Sequence, residues 1–139
     1  MRPIKFRGKV DMALDELDKR GIDHDRGWVY GNLISNGTQP YIVGSLIEVN
    51  EDYITFEQWV PVIPETVGQF TGLDDRYGID IHEGDIGWDE HYEVYGVVEY
   101  DESNFLFIFE NIVDDLYENN KGIEIIGNRY DNLELLGGN

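Results

Sequence analysis

The chain has no cysteine among its 139 residues, which excludes a disulfide framework, a thiolate metal site and a cysteine nucleophile, and is compatible with a reducing cytosol. It has no run approaching the roughly 20 apolar residues of a membrane span. Its opening, "MRPIKFRGKV", carries basic residues with no apolar stretch behind them to make a signal peptide. A soluble, cytoplasmic protein without membrane contact is expected. Cations are scarce and unevenly placed: residues 1 to 26 hold seven Lys or Arg against six Asp or Glu, whereas residues 27 to 139 hold only Arg76, Lys121 and Arg129 against twenty-three. Binding to nucleic acid depends on Lys and Arg displacing condensed counterions, so direct DNA or RNA binding is not expected. The formal charge of −19 admits the inverse, an acidic mimic of DNA that occupies a basic groove on a host protein, set against acidity that serves solubility alone.

What is present is the composition of a folded chain: 41% hydrophobic and 13% aromatic residues, with nine tyrosines, three tryptophans and sixteen glycines to make turns. The length suits one domain or two very small ones sharing a core. "IKFRGK" alternates Ile4 and Phe6 with Lys5 and Arg7, the period of a half-buried strand. "DMALDELDKRG" predicts a short helix near residues 12–20, capped by Asp11, apolar at Met12, Ala13, Leu14 and Leu17, and stopped by Gly21. From Trp28 the texture is one of short strands and turns, "GWVYGNLI", "PYIV", "LIEV", "YITF" and "WVPV". Asn36–Gly37 predicts a hairpin with a primed turn, both residues at positive φ. Pro61 and Pro64 lack the amide hydrogen of a central strand, so "WVPVIPET" belongs on an edge or in a crossover.

The second half repeats the pattern in "VGQF", "GIDI", "GDIGW", "VYGVVEY", "NFLFIFE" and "IEIIGN", with a polar "VDDLYENNKG" before the last. In "NFLFIFE" both faces are apolar, which predicts an internal strand. "YDNLELLGGN" predicts one turn of helix begun by Asp131 or Asn132. The fold expected is mainly β: an N-terminal antiparallel strand meander over residues 1–63 with one inserted helix, then a small barrel over residues 64–139, packed as one compact unit.

The densest chemistry lies in "VGQFTGLDDRYGIDIHEGD", residues 67–85. An EF-hand loop starting at Asp74 fails, since its third position is Arg76, its fifth Gly78 and its twelfth Asp85. "DDRYG" is instead expected to be a polar turn with Gly78 at an unusual backbone angle and its carboxylates in solvent. His82, Glu83 and Asp85 are residue types for acid–base or metal work, but on a strand His82 and Glu83 point to opposite faces and "EGD" is more simply a turn. His24 and His91 have no second histidine at ligand spacing. Asp89 with Glu90, and Asp114 with Asp115, invite a two-carboxylate hydrolase reading, which any chain this acidic would offer by chance. There is no "GxSxG", no "GxGxxG" and no phosphate loop. No catalytic residue, metal or cofactor is expected. The aromatic residues Trp28, Tyr30, Trp59, Trp88, Tyr92 and Tyr95 form the candidate interaction surface, because rings with one dry and one wet edge suit recognition.

Five phrases together, "IKFRGK", "WVYGNL", "PETVGQFTGLDDRYGIDIHEGDI", "GVVEYD" and "IEIIGN", resemble the YopX family of small phage and prophage proteins. The resemblance implies a C-terminal barrel of the SH3 type, residence in an infected or lysogenic bacterium, and a protein partner or homo-oligomer. It carries no enzyme activity, cofactor or catalytic residue with it. The turn formed by Gly72, Asp74, Asp75, Gly78, Glu83, Gly84 and Asp85 is the part of the motif most specific to the family. The chain departs from the family pattern between Lys9 and Trp28, where the helix-bearing segment is an insertion.

Overall fold

A computed structural model of the chain describes residues 5–44, 46–52, 54–56 and 58–137. Ile4 and Tyr53, expected in strands, and the last two residues of the tail lie outside the described residues. The chain is mainly β and divides into two compact units between Gln69 and Phe70. Among the described residues no helix is long and apolar enough to cross a membrane.

The first unit contains β1 (Phe6–Lys9), α1 (Leu14–Lys19), β2 (Trp28–Ser35), β3 (Pro40–Val43), the two-stranded hairpin of β4 (Leu46–Val49) and β5 (Ile54–Phe56), and β6 (Trp59–Pro61). It also contains the start of β7 (Gly68–Asp74). Its antiparallel sheet runs β6, β3, β2, β1, and Gly68 and Gln69 of β7 continue it beside β1. Pro61 sits on the outermost strand, opposite Tyr41, where a missing amide hydrogen costs no ladder bond. The core is aliphatic, built from Val10, Leu17, Val29, Ile42, Val60 and Val62 with Phe6 packed against it. β1 does not alternate as simply as its letters do, because Arg7 is buried with its guanidinium 4.8 Å above the Trp28 ring.

Two local expectations need correction. Asp11 does not cap α1: the helix starts three residues later, with Ala13 at its N-cap and no side-chain cap. Its far end is as expected, since Gly21 at φ +70° lets its own N–H bond to Asp18 O and the Ile22 N–H to Leu17 O, closing the helix in a Schellman turn. The Asn36–Gly37 hairpin exists, but only Gly37 takes a positive φ. Asn36 uses its side chain instead, accepting from the Thr38 and Gln39 N–H groups at 3.2 and 2.9 Å, which makes a four-residue loop rather than a two-residue primed turn.

The second unit contains the rest of β7, then β8 (Asp80–His82), β9 (Asp85–Asp89), β10 (Val94–Asp101), β11 (Asn104–Phe109), β12 (Ile112–Asp115), α2 (Leu116–Asn119) and β13 (Ile123–Asn128). A single 3-10 turn, Leu133–Leu136, follows Asn132 and lies against β10. Strand order is β12, β11, β10, β9, β13. β11 is internal, as its two apolar faces require: Phe105, Phe107 and Phe109 fill a core with Ile81, Val98, Leu116 and Ile123. A Cβ on Gly96 would sit 2.5 Å from the Phe107 ring, so glycine lets that ring lie flat across β10. The expected closure into a barrel is not among the described ladders, where β12 and β13 end the sheet and none joins them. Asp115 caps α2 by accepting from the Tyr117 N–H at 3.0 Å, and this turns the chain away after four residues of β12.

Candidate interaction surfaces and a carboxylate-clasped turn

The acidic motif is a turn, as its glycines demand. Gly72, Gly78 and Gly84 take φ of +83°, +83° and +90°, values that side chains with a Cβ rarely adopt. Gly72 lies where the register of β7 against β8 shifts, and the Thr71 hydroxyl closes that irregularity by donating to Ile81 O at 2.8 Å and accepting from Leu73 N–H at 3.1 Å.

The carboxylates are not all in solvent, which overturns the expectation for "DDRYG". Asp75 is 0% exposed. One oxygen accepts from the Tyr77 and Ile79 N–H groups at 2.8 and 2.9 Å, and the other from the Ile125 N–H of β13 at 2.8 Å. A buried carboxylate is tolerated where backbone donors replace its water. Around it, Arg76 N–H donates to Ile123 O and Asn120 Nδ2 to Asp74 O, so the turn is stitched to the segment leading into β13. Asp74 lies at the surface, where the hydrogen-bonded Lys121 ammonium holds its carboxyl below the usual carboxylate range. Arg76 pairs with Glu90, which raises the guanidinium pKa further.

Asp85 and Asp89 follow the same logic. Asp85 is buried and accepts from the His82 N–H at 2.7 Å, so its carboxylate tightens the "HEGD" turn around Glu83 and Gly84. Asp89 is buried and accepts from the His91 and Tyr92 N–H groups at 2.9 and 3.1 Å. Asn119 donates to both Asp89 and Asp114, at 3.3 and 3.4 Å. Among the described residues no three His, Asp or Glu side chains are grouped as metal ligands. His24 is held in the loop between α1 and β2: its Nδ1 accepts from the Gly27 N–H, so Nε2 carries the proton shared with Asp18 at 2.8 Å.

The six candidate aromatics fall three to each unit. Trp28 is 6% exposed and lies beneath Arg7, so it offers no open ring. Tyr30 and Trp59 are exposed and share a face of the first sheet, because Trp59 pairs Val43, Val43 pairs Asn32, and Asn32 alternates in phase with Tyr30. Trp59, 62% exposed, rests on Tyr41 with ring centres 5.5 Å apart, and Ile34, opposite Tyr41, extends the platform. In the second unit the half-buried Trp88 stacks on Tyr95 at 4.8 Å. Tyr92, in the β9–β10 turn, is exposed and flanked by His91 and Phe109.

No curated protein matches the chain. Among solved structures, the crystal structure of protein EF1440 from Enterococcus faecalis is similar across 98% of this chain and 99% of that one, with a TM-score of 0.59 and 20% identity, which speaks to the fold. The family model described as YopX protein matches residues 22–137, a span that begins just after α1 and contains the clasped turn and both aromatic groups. The chain belongs to the YopX family.

Proposed function

We propose that this is a non-enzymatic interaction module of a phage or prophage, working in the bacterial cytoplasm and recognising a protein partner or a second copy of itself through exposed aromatic rings. The observation that carries this reading is Trp59: a tryptophan 62% exposed, held on a strand and braced by Tyr41, is a large apolar side chain left in water, the kind of anchor that dominates protein interfaces. The carboxylates Asp75 and Asp85 of the family motif, and Asp89 just beyond it, support the non-enzymatic part, since they are occupied by backbone N–H groups rather than aimed at a substrate.

Affinity capture from a bacterial host lysate tests it, run at about 50 mM and about 500 mM salt. The expected result is a retained protein that is lost with Trp59→Ala and kept with Tyr117→Ala, a change at a still more exposed ring in the other unit, with little dependence on salt. Retention that ignores Trp59 and collapses at high salt would replace this reading with the DNA mimic.

A further inference from the structure

The second unit ends in an exposed edge whose chemistry specifies what could add to it. β12 spans Ile112–Asp115 at the end of the sheet. Val113 is 58% exposed, Ile112 is exposed, Asp115 is exposed and Asp114 half-buried. An edge strand presents backbone donors and acceptors ready to pair another chain.

The face behind it is arranged in rows. Ile86, Val97, Ile108 and Val113 are cross-strand partners in succession from β9 to β12, an aliphatic row that passes from wholly buried at Ile86 to open at Val113. The next row on the same face, Glu99, Leu106 and Asp115, ends in a carboxylate. Residues 70–139 hold eighteen Asp or Glu against three Lys or Arg, and all three cations are engaged within the unit, Arg76 with Glu90, Lys121 with Asp74 and Arg129 with Glu99. Among the described residues of this unit, every Lys and Arg is thus paired with a carboxylate other than Asp114 and Asp115.

A second copy of the chain fits this edge poorly. Paired antiparallel, two β12 strands would set Ile112 against Asp115 and Val113 against Asp114. Paired parallel, they would stack carboxylate on carboxylate, which is destabilising. We infer that β12 receives an antiparallel strand from a cationic protein partner, with two basic residues followed by two aliphatic ones. In that register the basic pair lies opposite Asp115 and Asp114 and the aliphatic pair opposite Val113 and Ile112, the residue opposite Val113 prolonging the row begun at Ile86. This inference deepens the reading of the chain as an interaction module, but it uses a surface separate from Trp59.

The test uses the full chain and two fluorescein-labelled peptides of about ten residues, one with Lys-Lys-Val-Val at its centre and one with Lys-Val-Lys-Val, identical in composition. Fluorescence anisotropy is expected to show the blocked peptide binding at least about tenfold more tightly than the alternating one, because the latter mismatches two of the four cross-strand pairs. Hydrogen exchange is expected to slow at Ile112–Asp115 on binding. Asp114→Lys is expected to remove the preference, with the far-ultraviolet circular dichroism spectrum showing that the sheet is retained. Trp59→Ala is expected to leave it intact, so this inference and the Trp59 reading fail separately. Equal binding of both peptides, binding of neither, or protection that falls elsewhere than β12 would overturn it. So would a dimer in sedimentation that Asp114→Lys strengthens, since the edge would then belong to a second copy.

Discussion

The two units solve the same problem with different groups. Each must satisfy backbone N–H groups where strands turn. The first unit does so with neutral side chains: Asn36 at the β2–β3 loop, Thr66 accepting from Lys9 N–H at 2.8 Å and donating to Ile63 O at 2.6 Å, and Gln58 bonded both ways to the Asp23 backbone. The second unit has neutral acceptors too, Thr71, Asn128 and Asn132, but adds carboxylates: Asp75, Asp85, Asp89 and Asp115. Bonds to an ionised acceptor are stronger than neutral ones. Losing one of these carboxylates is therefore expected to cost the second unit more than losing a neutral acceptor costs the first.

The largest test of that contrast is Asp75→Asn. The amide keeps the shape but turns a donor toward backbone N–H groups that have lost an acceptor, and a loss of about 3 kcal/mol is expected in denaturant unfolding, with exchange accelerated at Tyr77, Ile79 and Ile125. The counterpart in the first unit is Thr66→Val, which preserves volume and removes two neutral hydrogen bonds. It is expected to cost about 1–2 kcal/mol, by the same amount at pH 7 and pH 5. Next is the turn between β10 and β11, where Glu102 and Ser103 both adopt positive φ, 46° and 78°, a primed turn without glycine or asparagine. Ser103→Gly is expected to raise stability by about 0.5–1 kcal/mol, read as a shift in the urea midpoint at unchanged slope. The smallest effect concerns Asp74. Its folded pKa is lowered by Lys121, so its contribution is fully present above the unfolded value near 3.8 and is lost as pH falls through the folded one. Lys121→Met is expected to flatten the pH dependence of stability below about pH 4 and to leave the first unit's exchange rates unchanged.

Most of the strand texture could be seen in the letters. Short strand-like runs between turns located β2, β3 and β10, apolarity on both faces located β11, the prolines placed β6 on an edge or in a crossover, and Gly21 and Gly78 marked a helix end and a turn, because each of these signals is local. β12 and α2 were hidden inside "VDDLYENNKG", since four residues of strand and four of helix give no full period, and only Leu116, wholly buried, hinted at an anchored segment. Asp75 was misjudged for a different reason. An aspartate two residues before a turn N–H looks the same whether the loop is open or covered, and the donor that completes its shell, Ile125 N–H, is fifty residues away. Among the aromatic candidates, burial of Trp28 beneath Arg7 depends on a neighbour across the sheet that composition cannot supply.

The fifty-residue reach from Asp75 to Ile125 also sets an order of events. Closing so long a loop is slow relative to the hairpins between them, each of which needs only adjacent strands. The β9–β12 meander therefore assembles first, and the acidic turn locks only when β13 arrives at its flank. Until then Asp75 holds only the local Tyr77 and Ile79 N–H groups, which makes the last strand to dock the one that completes the family's most distinctive stretch.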